Sequence, residues 1–300
     1  MAVALDDRRI TVAHVVRAAG ARPRLAKLED AARDSVPEAE ALTRLRRAFS
    51  LQRYRCTTAL DPGAYQLVQV NAPAVPADEM RSALRWAVKD TIDFPADDAA
   101  MDVLHVPADG APAGRPATAF AVAARRERVA ERQQAFQRAG LELKAIDIAE
   151  AGQRNLAALF EQAGRGLAML SLHECGGLLT FTRDGELYAA RRIDMNADAL
   201  ADDADGERRS AALDRIALEL QRSLDNFDRQ FSHVALQRVL VASTAGATPL
   251  ANYLAQNVYL PVDTVDLTAA MDLDAFPWLA DPAAQALWLP AIGLALREEA

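Results

Sequence analysis

The residues best placed to do chemistry in this chain are Ser243-Thr244-Ala245-Gly246-Ala247, which follow the apolar run Val239-Leu240-Val241-Ala242 and precede a helix starting near Pro249. An apolar run without alternation reads as a central strand buried on both faces. Small residues at the carboxyl end of such a strand sit where open α/β sheets bind ligands, with the N–H groups of the next helix turned toward an anion. A plain strand-to-helix turn asks for the same residues, so both readings stand. A second candidate is Asp6 in the polar turn Asp6-Asp7-Arg8-Arg9. Its carboxylate could hold Mg²⁺ through water or close a hairpin. A phosphate-cradling turn takes Gly or Ser so that backbone N–H groups come close to the anion, and Arg8 and Arg9 stand in those places.

Other chemistries lack their residues. His14, His105, His173 and His233 lie apart, with neither HExxH spacing nor a GxSxG nucleophile elbow. His173, in the turn before Gly176-Gly177, is the one histidine near a candidate cleft, and an exposed turn histidine is the plainer account. Cys56 and Cys175 have no CxxC partner, so neither a disulfide framework nor a metal site is indicated, and a reducing compartment fits. Asp202, Asp203, Asp205 and Gly206 resemble part of a calcium loop, but Ala201 and Ala212 stand where its first ligand and closing Glu belong, which leaves a solvated acidic loop.

The net charge of -8 and pI near 5.1 argue against nucleic acid, whose binding rests on Lys and Arg meeting phosphates. The local cluster Arg44, Arg46, Arg47, Arg53 and Arg55 reads as a solvated face or a patch for acidic lipid or an acidic peptide. Trp86, Trp278 and Trp288 read as core or interface residues, because no basic surface accompanies them. The N-terminus carries charge at once and lacks the apolar stretch of a signal peptide. The longest apolar segment, Ala286 to Leu296, is interrupted by Pro290 and is too short for the roughly 18 residues of a membrane span.

The elements that must position these residues follow from periodicity. Leu213, Ile216, Leu220, Leu224, Phe227 and Phe231 recur at spacings of three and four and form one helix face, with Glu219, Arg222, Asp225 and Arg229 opposite. Val3 to Leu5 and Ile10 to Val16 form an opening hairpin, followed by a helix from Ala39 and strands at Arg55 to Leu60 and Tyr65 to Val70. Beyond Pro73 and Pro76, a helix over Asp78 to Asp90, strands at Met101 to Val106 and Ala117 to Ala124, a helix from Glu127 to Ala139 and a strand at Leu143 to Ile148 read as an inserted αββαβ subdomain, about residues 74–144. Gly164-Arg165-Gly166 reads as the hinge between a first lobe, 1–165, and a second, 166–300. The second lobe opens on a hairpin as the first does, which suggests a duplicated architecture.

These segments resemble the PilM-like family of actin-like proteins, including its branch in mannose-sensitive haemagglutinin (MSHA) pilus biogenesis. The resemblance rests on Val75-Pro76-Ala77-Asp78-Glu79 leading through Trp86 to Ile92-Asp93-Phe94-Pro95, on Val122-Ala123-Ala124-Arg125-Arg126 with Ala139-Gly140-Leu141, and on Ala145-Ile146-Asp147. It also rests on Ile216 to Phe227 and on the ending Trp288-Leu289-Pro290-Ala291-Ile292-Gly293-Leu294-Ala295, all in the family's order over nearly the whole chain. It implies an α/β, actin/hexokinase-type (ribonuclease H-like) two-lobed fold with an ATP and Mg²⁺ cleft. The positions it assigns to that cleft are Asp6, Gly176, Gly177, Glu219, Ser243, Thr244 and Gly246, with Glu219 matching a ribose contact. It implies no membrane span and a cytoplasmic place beside the inner membrane, through a groove that takes the cytoplasmic tail of a bitopic, PilN-like assembly protein; a homodimer stays open.

The departures bear on catalysis. Arg8 replaces the Gly of the family's first Asp-x-Gly-Ser phosphate loop, and Ser171-Leu172-His173 stands where the second loop carries Asp-x-Gly, with Gly176-Gly177 displaced. Ser243-Thr244-Ala245-Gly246 replaces a Gly-Gly-rich adenosine loop. Loss of these groups removes close backbone approach and a metal or water ligand, so the expectation is a non-catalytic scaffold with a degenerate cleft. The alternatives are a slow ATPase whose closure gates partner binding, and the cytoplasmic part of a type II secretion assembly protein, although that relative usually continues into a membrane helix.

Overall fold

The computed structural model describes residues 1–6, 8–33, 36–76, 78–108, 116–173, 176–195, 197–200, 206–242 and 247–298. The chain divides into two compact units, Met1–Val12 with Leu28–Ala149 and Ala13–Lys27 with Glu150–Ala300. Ser243, Thr244, Gly246, Cys175 and the acidic loop at 202–205 lie outside the described residues.

The first unit is built on β1 (Ala2–Leu5), the first half of β2 (Arg9–Val16), the end of β3 (Arg24–Ala32), α1 (Glu38–Phe49) and β4 (Arg55–Ala59). It continues through β5 (Tyr65–Asn71), α2 (Met80–Val88), β6 (Ala99–His105), β7 (Thr118–Arg125), α3 (Arg126–Arg138) and β8 (Glu142–Asp147). Its main sheet has the order β3-β2-β1-β4-β8, with β1–β4 and β4–β8 parallel. Ala41, Leu42 and Leu45 of α1 and Ala135 and Phe136 of α3 share one core with Val3, Ile10, Val12 and Cys56 of that sheet. Periodicity groups α3 and β8 with the insert, but their apolar positions complete the core of the main sheet.

The insert has its own three-stranded antiparallel sheet, β5-β7-β6. Met80, Leu84 and Val88 of α2 pack on Ala119, Ala121 and Ala123, the alternate small residues of β7. The insert's sheet therefore begins at β5, earlier than Pro73 suggests, because β5 pairs with β7 along its whole length, Tyr65 to Asn71 against Ala124 to Thr118. Trp86 does not join this core: it is 73% exposed, with the Lys89 ammonium over its ring at 5.3 Å.

The second unit contains α4 (Ala149–Ala157), β9 (Gly166–His173), β10 (Gly176–Arg183), β11 (Glu186–Ile193), α5 (Gly206–Gln230), β12 (Leu236–Val241) and α6 (Ala247–Asn257). It ends with β13 (Val262–Thr264), the single turn α7 (Pro282–Gln285) and α8 (Leu289–Ala295). The sheet order is β11-β10-β9-β12-β13, antiparallel among the first three and parallel from β9 through β13. The apolar face of α5 covers it: Ile216, Leu220, Leu224, Phe227 and Phe231 are buried, Leu213 is half-buried, and the rings of Phe227 and Phe181 stack at 4.6 Å. The turn at Asp184-Gly185 has positive φ at both residues, 51° and 77°, the conformation a two-residue hairpin needs. Among the described residues no helix is long and apolar enough to cross a membrane.

The contact boundary at residue 149 precedes the expected hinge at 164–166, because α4 packs within the second unit. There α4 and α8 cross with almost no space between backbones. A Cβ added at Gly293 would fall against the Gly152 carbonyl oxygen, and Asn155 Nδ2 donates to the Gly293 carbonyl at 3.1 Å. Alanine ordinarily improves a helix by about 1 kcal/mol over glycine. At this crossing overpacking, about 1–3 kcal/mol, outweighs that gain. Gly293→Ala is therefore expected to lower the urea midpoint, and an unchanged or raised midpoint would contradict the close crossing.

Candidate functional site

A cleft of about 530 Å³ opens in the first unit. Its walls are the start of α1 (Pro37, Glu38, Ala39), the turn between β4 and β5 (Leu60, Asp61, Gly63, Ala64) and one face of α3. Arg128, Glu131, Arg132, Ala135 and Arg138 supply that face at helical spacing. Because β4 belongs to the main sheet and β5 to the insert's sheet, the cleft lies where the chain passes from one to the other.

Arg132 holds this corner together. Its side chain is only 6% exposed; Nε lies 3.2 Å from Glu38 Oε1 and Nη2 2.9 Å from Asp61 Oδ2. Nη1 donates to the Ala59 carbonyl at 2.9 Å and to Thr58 Oγ1 at 3.4 Å. One guanidinium thus ties the first turn of α1 and the end of β4 to α3, which its five donors in a fixed fork allow. Removing one partner of such a buried pair costs about 3–5 kcal/mol, since the other charge is left without compensation. At the rim, Arg128 pairs with Glu131 at 3.0 Å, and both are exposed. Periodicity marks Arg132 as an ordinary helix-surface arginine. Its burial becomes visible only once β4 and α1 are seen to close over α3.

Glu38 is the strained member. Burial pushes its carboxyl pKa up, against the smaller opposing pull of Arg132, and Oε1 finds no hydrogen bond of good geometry despite that neighbour. The acid's place in the first turn of α1 favours its charged form, but only weakly at such a site.

The residues assigned to a nucleotide are engaged otherwise. Asp6 Oδ1 accepts the backbone N–H of Arg8 at 2.7 Å and of Arg9 at 2.6 Å, so this carboxylate closes its own turn. Arg33 Nη1 adds a bond to the Asp6 carbonyl at 3.0 Å. Ser171 is buried and donates to Gln153 Oε1 at 2.5 Å, while Gln153 Nε2 donates to Met169 O, Leu178 O and Thr180 Oγ1. Gly177 serves packing in the β9–β10 hairpin: a Cβ there would meet Leu172 Cδ2 at 2.8 Å and Ile193 Cβ at 3.1 Å. Gly176, with φ +120°, opens β10 opposite His173. His173 is more enclosed than an exposed turn residue, and burial lowers its pKa. Glu219, half-buried on α5, lies 3.3 Å from Arg222 Nη1. Among the described residues no group of histidine, cysteine or acidic side chains could hold a metal ion. Asp6 Oδ1 and the Ser171 hydroxyl are thus bonded within the protein.

Neither a family model nor a curated protein sequence matches the chain. Solved structures do. The chain is similar to one in a PilM–PilN type IV pilus biogenesis complex, with 23% identity, coverage of 98% of this chain and 96% of that one, and a TM-score of 0.75. A Bacteroides thetaiotaomicron protein with an actin-like ATPase fold and unknown function matches at 7% identity, over 93% and 95% of the two chains, with a TM-score of 0.51. The cytoplasmic domain of EpsL, an inner-membrane component of the Vibrio cholerae type II secretion system, matches at 15% identity over 64% and 70% with a TM-score of 0.44, too low to argue from. The fold is the actin-like ATPase fold.

The raised pKa of Glu38 fixes the sign of a pH effect. A carboxyl that holds its proton more tightly when folded lends stability below its unfolded pKa of about 4.3 and loses it as pH rises through the folded value. Glu38→Gln keeps the neutral shape, so its midpoint is expected to gain on the wild type as pH rises from about 4 to 7. A gap that moves in the wild type's favour would mean that Arg132 outweighs burial.

Proposed function

We propose that the protein is a PilM-like, non-catalytic scaffold of type IV pilus assembly, of the MSHA branch, lying in the cytoplasm at the inner membrane. In this reading the cleft around Arg132 receives the cytoplasmic tail of a bitopic, PilN-like inner-membrane protein. The observation that carries it is whole-length likeness to a chain of the PilM–PilN complex, with 98% of this chain covered. The cleft adds local support. Its Arg132 ties fix α1, α3 and the β4–β5 turn beforehand, so a peptide would meet a preformed surface and lose less in ordering it. The ion pairs of the walls favour register and specificity over raw affinity.

The nucleotide site of the fold is read as degenerate, which the bonds made by Asp6 and Ser171 support. The chain then works by holding a partner in place and needs no turnover.

A labelled peptide of the partner's cytoplasmic tail is expected to bind the wild type, and Gln134→Trp, an exposed residue on the cleft wall, to weaken it by about tenfold or more, roughly 1.4 kcal/mol. Millimolar Mg-ATP is expected to leave the thermal midpoint unmoved, since only a ligand of the folded state raises it. Undiminished binding by Gln134→Trp would remove the cleft from the proposal, and a clear rise with Mg-ATP would remove the degenerate site.

A further inference from the structure

The second unit carries an aromatic surface with an acidic rim. From residue 239 to 296 the sequence has no Lys, Arg or His but contains Asp263, Asp266, Asp272, Asp274 and Asp281. Within that stretch Phe276 and Trp278 meet edge to face at 6.4 Å, and Trp278 also leans on the buried Trp288 at 5.8 Å. Trp278 remains 49% exposed, and Leu287 is exposed as well. Asp274 and Asp281, exposed on either side of Trp278, have no ion-pair partner among the described residues. A tryptophan fixed from behind by a buried ring and left open in front offers a rigid apolar face, and the carboxylates beside it, of which Asp281 also accepts the Ala283 N–H at 3.0 Å, select for cations.

The first unit carries the opposite surface. Arg47 and Arg53, around the end of α1, are exposed and have no ion-pair partner among the described residues, whereas Arg44 and Arg55 pair with Glu40 and Glu142. Ala48 is exposed between them, and Phe49 and Tyr54 are half-buried. An arginine can stack on an indole face and reach a flanking carboxylate with the same planar group.

We propose that these two surfaces bind each other between copies of this chain, the Arg47/Arg53 face of one against the Trp278 face of the next. Charge sets the mode. Like patches repel, so every contact pairs an Arg47/Arg53 face with a Trp278 face, and a twofold dimer satisfies this as a head-to-tail row does, because residue i can meet j while j meets i. The proposal does not depend on the partner tail or on the cleft around Arg132.

Sedimentation velocity of the full chain tests it. In about 0.05 M salt the wild type is expected to shift to larger species between about 5 and 200 μM, and in about 1 M salt, where the Debye length falls to about 3 Å, to stay monomeric. Arg47→Asp/Arg53→Asp and Asp274→Arg are each expected to be monomeric at low salt, with unchanged circular dichroism. Mixed in equal amounts, each still has one intact face: the arginine variant keeps its Trp278 face and Asp274→Arg keeps its basic face. The mixture is expected to associate again, because the intact faces pair and the reversed charges of the two variants are opposite in sign. A wild type that stays monomeric at low salt, variants that associate as the wild type does, or a mixture that stays monomeric would each overturn the proposal. Trp278→Ala separates stacking from charge: monomer at low salt supports the aromatic contact, and wild-type association overturns its part.

Discussion

The corner built by Arg132 is the constraint on which the first unit's candidate site depends. A buried guanidinium is tolerable only when its charge and its donors are met together. Here they are met by Glu38 from α1, by Asp61 beyond β4 and by the Ala59 carbonyl. The cleft is the space left beside that knot, and its walls cannot move apart without stranding a charge. The energy that binds the corner is the same energy that keeps the recess in shape.

The second unit is held by a different constraint, the close crossing of α4 and α8 at Gly152 and Gly293. Close approach lets Asn155 bond across the crossing and sets α4 against β9, where Gln153 enters its four-bond network with Ser171. A buried polar network with every member bonded is rigid, and introducing a ligand there would strand its groups.

Much of the fold was legible in the sequence because its elements bury one face each. The α5 stripe, the unbroken run of β12 and the turn at Asp184-Gly185 follow from period and turn chemistry alone. The insert's boundaries were not, because an amphipathic helix or a short strand reads the same whichever core it faces: α3 and β8 sit beside the insert in sequence but pack with α1 and β4. Trp86, read by residue type as a core or interface residue, stays out of the insert's core and is exposed. At the site, the Asp6 turn could be read as a self-closed loop. Arg132 could not, because nothing local distinguishes a charged residue on a helix surface from one over which another helix and a strand end will close.

The central claim is that a partner's tail occupies the cleft around Arg132. The most direct measurement is hydrogen–deuterium exchange of the full chain with and without a saturating tail peptide. The account predicts slowed exchange at the start of α1, the β4–β5 turn and α3, with β9, β10 and α5 unchanged. Protection that spares these three segments and falls elsewhere would contradict it.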